Sequence, residues 1–141
     1  MKLSEHFSLA ELTRTDHRTL DNTPDADALA NLHRLAEFLE RVREVLGGRA
    51  VMITSGYRSK SVNYAVGSKD TSKHRLGLAA DFRVPGMSPQ EVVGAIVASG
   101  IPYDQVIKEY DSWTHISIPA LAHYCRREAL IIDKTGTTFF V

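Results

Sequence analysis

The sequence predicts an α+β fold in a single domain, residues 1–141, built on a mainly antiparallel sheet with the N-terminal helices packed on one side. Two observations lead there. At 141 residues the chain is one domain's worth, able to bury roughly two-thirds of its unfolded surface. Helical periodicity comes early, and strand-like segments cluster late instead of alternating with helices.

Each element has its own signal. Ser8 with Glu11 three residues later is a capping box, opening a short helix. Asp21-Asn22-Thr23-Pro24 is a polar turn, with Thr23 as the expected cap of the next helix and Pro24 at its first position. Leu29, Leu32, Leu35, Leu39, Val42 and Leu46 recur at helical spacing, predicting one long amphipathic helix that ends at Gly47-Gly48. Arg34, Glu37, Glu40, Arg41 and Glu44 form its solvated back. Val51 to Thr54 reads as a buried strand, Ser55 to Arg58 as a turn out of it, and residues 60–65 as a short helix, with Asn63 expected to cap it. Val66 to Leu78 reads as a polar, glycine-punctuated loop, and Ala79 to Val84 as a strand. Ser88 and Glu91 form a second capping box with Pro89 at the first helical position. That helix turns Val92, Val93, Ile96 and Val97 inward and stops at Gly100. Residues 104–110, 113–118, 128–132 and 137–141 read as strands, the last two joined at Lys134-Thr135-Gly136.

Composition narrows the function. Apolar residues are 43% and charged residues 24%, which excludes a disordered chain, a fibre or a coiled coil. Seventeen basic residues balance seventeen acidic ones, which argues against nucleic acid or a membrane surface as an electrostatic partner. The single cysteine, Cys125, excludes an internal disulfide framework and a Cys-rich zinc finger, and reads as a small buried hydrophobe. Apolar runs are too short to span a membrane. The start has no apolar stretch behind Lys2, so the expectation is a chain made in the cytoplasm without a signal peptide and kept there until released.

Three polar residues sit where strand patterning would not put them. Asp81 interrupts the small-apolar run Ala79-Ala80-Asp81-Phe82. His115 alternates with the core residues Ile116 and Ile118, on a face shared with Trp113 and Ser117. His74 lies in the loop entering the Asp81 strand, with Gly77 between them to allow a sharp bend. Two imidazoles and a carboxylate make a zinc set of the catalytic type, since three protein ligands leave a fourth position for water, which then ionises near neutral pH. The bland alternative is a satisfied core histidine and a turn-capping aspartate. His6, His17, His33 and His123 have no partner spacing and read as structural or exposed.

Ser72-Lys73-His74-Arg75-Leu76-Gly77-Leu78-Ala79-Ala80-Asp81 fits Ser-x-His-x-x-Gly-x-Ala-x-Asp. With Ser55-Gly56-Tyr57-Arg58-Ser59 upstream and Trp113-Thr114-His115-Ile116-Ser117 downstream, the chain resembles the M15 zinc peptidases. These are the D-Ala-D-Ala carboxypeptidase group, and the resemblance is especially to its compact phage-associated branch. Phe7 to Leu12 and Asp21 to Pro24 resemble that branch too. The resemblance implies a fold like that of Hedgehog and DD-peptidase domains, Zn2+ as cofactor, and His74, Asp81 and His115 as its ligands. It implies Arg58 near the scissile bond, where a planar cation steadies an oxyanion or holds a substrate carboxylate. Ser55, Ser72, Tyr57 and Trp113 are its candidate substrate-side residues. Ser72 could equally bond its own backbone, and Tyr57 and Trp113 could equally pack the core.

A hydrolase of this type needs a carboxylate to take and return a proton. Many relatives place an acid three residues before the last histidine ligand; here that position is Ser112. The compact branch places a glutamate six residues before it, which is Glu109, with Asp111 as the understudy. Geometry sets a condition. A two-residue turn would pair Glu109 with Thr114 and point it away from His115, whereas a three-residue turn, Tyr110 to Ser112, would pair it with Trp113 on the His115 face. Asp104-Gln105 could help shape the pocket, and Lys60, Lys69, Lys73 and Arg75 make the loop locally basic. The expected function is a monomeric zinc peptidase cutting stem peptides or cross-links of bacterial peptidoglycan, as a carboxypeptidase or endopeptidase, in a phage lysis enzyme or a virion. The competing expectations are a non-catalytic zinc-binding module and a virion structural protein retaining the fold.

Overall fold

The computed structural model describes residues 1–69, 71–120 and 124–141; His123 lies outside them. The first helix, α1 (Leu9–Leu12), is closed by the expected capping box of Ser8 and Glu11. The long helix α2 (Ala26–Val45) is capped by Asp25, whose carboxylate accepts from the Ala28 N–H, not by Thr23. Thr23 instead donates both its N–H and its hydroxyl to Asp21, so Pro24 precedes the cap rather than opening the helix. An aspartate caps at least as well as a threonine. The apolar stripe of α2 is buried, and Ala28, Ala36 and Phe38 join it. Its back is less free than expected, since Arg34 donates to the Pro119 carbonyl and Glu40 accepts from Ser4 and His6.

Strand β1 (Met52–Ser55) leads through a non-regular stretch to α3 (Lys60–Ala65), which Ser59 caps. Asn63 is therefore not the cap; it is fully buried and donates to the Lys69 carbonyl. The loop beyond contains a turn of 3₁₀ helix (Lys73–Leu76), capped by Ser72 and ended by Gly77 at φ +76°. Then come β2 (Ala79–Arg83), α4 (Pro89–Ser99), β3 (Gln105–Glu109), β4 (Trp113–Ser117), β5 (Glu128–Asp133) and β6 (Gly136–Phe139). In α4, Val92, Val93 and Ile96 are buried but Val97 stays exposed at 39%, because the inward arc of so short a helix is filled by the other three.

The six strands form one sheet in the order β1-β2-β4-β3-β5-β6. Every pairing is antiparallel except β3 with β5. Ile53, Phe82, Ile116 and Val106 come from one face and share a buried core with Leu32, Leu35, Leu39 and Val42 of α2 and Ile96 of α4. The opposite face is left for the alternate residues. No helix among the described residues is long and apolar enough to cross a membrane.

Asp104 ties three segments together just before β3. Its carboxylate takes a bidentate contact from Arg126 and an ion pair from Lys73 at 3.4 Å, and its side chain is only 3% exposed. Burial pushes its pKa up, but the Arg126 hydrogen bonds and the Lys73 charge outweigh it and hold the value down at about 2. A folded pKa below the ordinary 3.8 means that this stability is present above pH ~4 and is lost as pH falls through about 2. Asp104→Asn is expected to cost about 1–2 kcal/mol at pH 7. Urea unfolding at pH 7 and at pH 2 checks this: the difference from the native chain should shrink toward zero at the lower pH.

Candidate active site

Pairing across the sheet builds one row on the face away from the helices. Asp81 of β2 sits opposite His115 of β4, which sits opposite Ile107 of β3. Directly paired residues point to the same side. In β1 the register slips by one residue between Ile53 and Ser55, so Ser55 rather than Thr54 faces Asp81. A bulge of this kind re-aims a side chain at a functional edge. His74 enters from the 3₁₀ turn, with Gly77 in the left-handed region to swing the chain into β2. A Cβ on Gly77 would also meet the Ala28 carbonyl at 2.8 Å.

The three groups converge. His115 Nδ1 lies 2.8 Å and His74 Nε2 3.3 Å from the same Asp81 oxygen. All three ligand atoms fall within 4.8 Å of one another, and all three residues are buried. The other ring nitrogen of His74, Nδ1, is 2.8 Å from the Gly56 carbonyl. A carbonyl can only accept, so Nδ1 carries a proton; Nε2 then either donates to Asp81 or, once bare, turns its lone pair toward it. In the second arrangement two acceptors meet and a cation belongs between them, and this donor set suits zinc. The Gly56 carbonyl is the orienting partner that metal-binding histidines ordinarily have. Burial acts to raise the Asp81 pKa; hydrogen bonds from His115 and His74, with their charge, overcome it and hold the carboxylate well below its usual range.

Arg58 reaches the same spot from the turn after β1. Its Nη2 is 3.6 Å from the second Asp81 oxygen, and its Nε donates to Ser55 Oγ at 3.2 Å. The hairpin between β3 and β4 has the three-residue turn Tyr110 to Ser112, so Glu109 pairs with Trp113. That register puts Glu109 on the His115 face. Tyr110 and Asp111 hold left-handed backbone, φ +52° and +51°, a costly choice for non-glycine residues that sustains this register. Burial raises the Glu109 pKa and the Asp81 charge raises it further; His115, the Trp113 indole and Arg58 pull the other way. Among the described residues the buried Trp113 indole N–H has no partner at hydrogen-bond distance.

The chain matches the family model described as Peptidase M15 over residues 5–117. The chain belongs to the peptidase M15 family. Among curated proteins, none matches it. M15 peptidases are generally zinc-dependent, and the His74–Asp81–His115 group lies inside the matched span.

Of the residues expected in an M15 site, His74, Asp81, His115 and Arg58 are gathered at one point, and Glu109 stands on the same face beside Trp113, which is half-buried and tilted against Tyr110. Asp111 is on the turn tip, 68% exposed and paired with Lys108 at 3.6 Å. Ser112 is held by Arg83, which donates to its carbonyl and to its hydroxyl. Ser55 touches Arg58 rather than open space, and Ser72 accepts from the His74 N–H as a cap. Tyr57 is packed in the core at 3% exposure. Cys125 is half-buried and donates to the Pro102 carbonyl. Lys73 is bound to Asp104 and so is not part of a free basic loop.

The sequence reading passed over Gly56. Its Cβ position lies 2.4 Å from the Leu12 carbonyl oxygen, so only glycine lets this backbone pass while its own carbonyl meets His74. Gly56→Ala is expected to cost about 1–3 kcal/mol through forced displacement. Because it also moves the His74 partner, zinc affinity should fall about 10–100-fold, measured by chelator competition on the folded variant.

Proposed function

We propose that this M15 chain is a zinc-dependent hydrolase of peptide bonds in bacterial peptidoglycan, acting on stem peptides or cross-links as a phage lysis or virion-associated enzyme. The observation that carries the reading is the convergence of His74, Asp81 and His115 with a cation, Arg58, and a second carboxylate, Glu109, on one sheet face. The motif set around Arg58, His74 and His115, which resembles that of the D-Ala-D-Ala carboxypeptidase group, supports the wall peptide as substrate. Arg58 suits a substrate carboxylate or the oxygen that gains charge during attack.

His74, Asp81 and His115 would hold the zinc, which when bound would supply a Lewis acid for the scissile carbonyl and lower the pKa of water toward neutrality. Glu109 accepts the proton that the attacking water gives up and returns it to the leaving amine nitrogen. The burial that raises its pKa also makes it the better proton donor in that second step. Arg58 donates to the developing oxyanion. Asp81, held ionised by its two imidazoles, keeps the donor set negative.

Release of peptides from purified peptidoglycan, followed by mass spectrometry, tests the reading. Release should require zinc and stop with chelator. Glu109→Gln should lower kcat about 10²–10⁴-fold, while Asp111→Asn, which keeps the turn and removes only its carboxylate, should leave the rate near that of the native chain. The reverse result would move the base to Asp111. Zinc binding without release on several wall types would favour a non-catalytic module, the reading that Ser112 at the position where many relatives carry an acid would then support.

The pH profile gives a separate check. A base must be ionised, so kcat/KM should fall with decreasing pH. Burial raises the Glu109 pKa and the charge of bound zinc would lower it, so the deciding comparison is with Glu109→Gln. The acid limb should be lost from the residual activity of that variant, and a limb it keeps unchanged would remove Glu109 from the role.

A further inference from the structure

We propose that Asn22 is the positioning residue of Arg58: its side-chain amide clamps the backbone on both sides of the arginine and so sets where the guanidinium meets substrate. The inference rests on the hydrolase reading above and deepens it. Residues 56–59 have no regular secondary structure, so no ladder holds Arg58 in place. Asn22 supplies the missing partners from 35 residues away in the chain. Its Nδ2 donates to the Tyr57 carbonyl at 3.0 Å and to the Thr13 carbonyl at 2.8 Å, and its Oδ1 accepts from the Ser59 N–H at 2.7 Å. Both amide hydrogens are thus spent, one residue before Arg58 is gripped by a donor, and one residue after it by an acceptor.

Only a short amide fits this demand. An aspartate would set a carboxylate against two carbonyls, and a serine would have one donor for two acceptors. The rest of the turn conforms to the same geometry. Ser59 Oγ donates to the Asp21 carbonyl at 2.8 Å, the Arg58 N–H donates to the His74 carbonyl at 2.9 Å, and Arg58 Nε is held by Ser55 on the bulge. Asn22 is half-buried and lies outside the apolar core, so its three bonds serve the turn. A displacement of about 1 Å at a positioning residue costs about 10²-fold in rate.

The test uses the full zinc-loaded chain with Asn22→Ala and Asn22→Asp, alone and combined with Arg58→Ala. Asn22→Asp keeps the side-chain shape and the Ser59 acceptor, and carries the test if the alanine variant does not fold. Folded Asn22 variants should bind zinc like the native chain and lose about 10²-fold in kcat/KM for wall-peptide release. In the Arg58→Ala background they should lose nothing more, because they act through that side chain. A second readout needs no activity. The Arg58 Nε–H resonance, assigned with Arg58→Lys, should exchange slowly with water in the native chain and about tenfold or more faster in the Asn22 variants. Unchanged rate and exchange, a loss that multiplies with that of Arg58→Ala, a loss explained by missing zinc, or the failure of both variants to fold would each overturn the proposal. If the native zinc-loaded chain releases no peptide, the hydrolase reading fails, and the exchange measurement alone decides the clamp.

Discussion

The burial of the Asp81 carboxylate governs how this molecule is built. A carboxylate at 8% exposure is affordable only when its oxygens are paired. Here each oxygen has its partners: two imidazoles on one, a guanidinium on the other. Those partners come from three different elements, so the carboxylate dictates where each must be. The central placement of β2, between β1 and β4, lets one neighbour deliver His115 directly opposite and the other deliver Ser55 and Arg58 through a bulge. Two carboxylates, Asp81 and Glu109, then face one guanidinium across a pair of imidazoles. The sum is a cluster in which carboxylates outnumber the guanidinium and ring nitrogens stand beside them, which is the electrostatic description of a cation site.

Much of the supporting structure lies outside the sheet. Backbone groups without a ladder need other partners, and the turn after β1 finds them in distant segments. The Tyr57 N–H bonds the Leu12 carbonyl at 2.7 Å, one of the carbonyls that a helix end leaves without an internal partner. The four-residue α1 therefore serves as an anchor for the turn that carries Arg58. It is secured in its own right, since Ser4 and His6 are fastened to Glu40 of α2. The N-terminal segment thus belongs to the machinery of the site although none of its side chains enters the cluster.

What the sequence made legible was whatever depends on local periodicity. The two capping boxes, the α2 stripe and the alternation that separates His115 from Ile116 all followed from spacing, because side-chain direction is fixed by helix or strand repeat. Even the position of Glu109 reduced to a choice between two turn lengths. What escaped was set by contacts between segments distant in sequence. Asp25 rather than Thr23 caps α2 because Asp21 draws Thr23 away. Tyr57, aromatic and next to Arg58, belongs to the core. The bulge at Ser55 exists only relative to β2, and the parallel pairing of β5 with β3 has no local signature. Gly56 stands in plain view two residues before Arg58, but its meaning required Leu12 and His74.

The hairpin of β5 and β6 lies beyond residues 5–117, the span shared with the M15 family, yet it bears on the site. Without it β3 would be an edge strand, paired only with β4, and strand edges fray and slip where one side of the ladder is open. β5 runs along the whole of β3, from Gln105 opposite Glu128 to Glu109 opposite Ile132. The pairing continues into the strained turn, where the Tyr110 N–H bonds the Ile132 carbonyl at 2.7 Å. That bond fixes the first of the two left-handed residues and so secures the three-residue turn on which the facing of Glu109 depends. A residue whose chemistry requires a defined distance to a buried cation site gains from being locked on both sides. The part of the chain outside the family match therefore holds one of the two acidic groups that the proposed reaction needs.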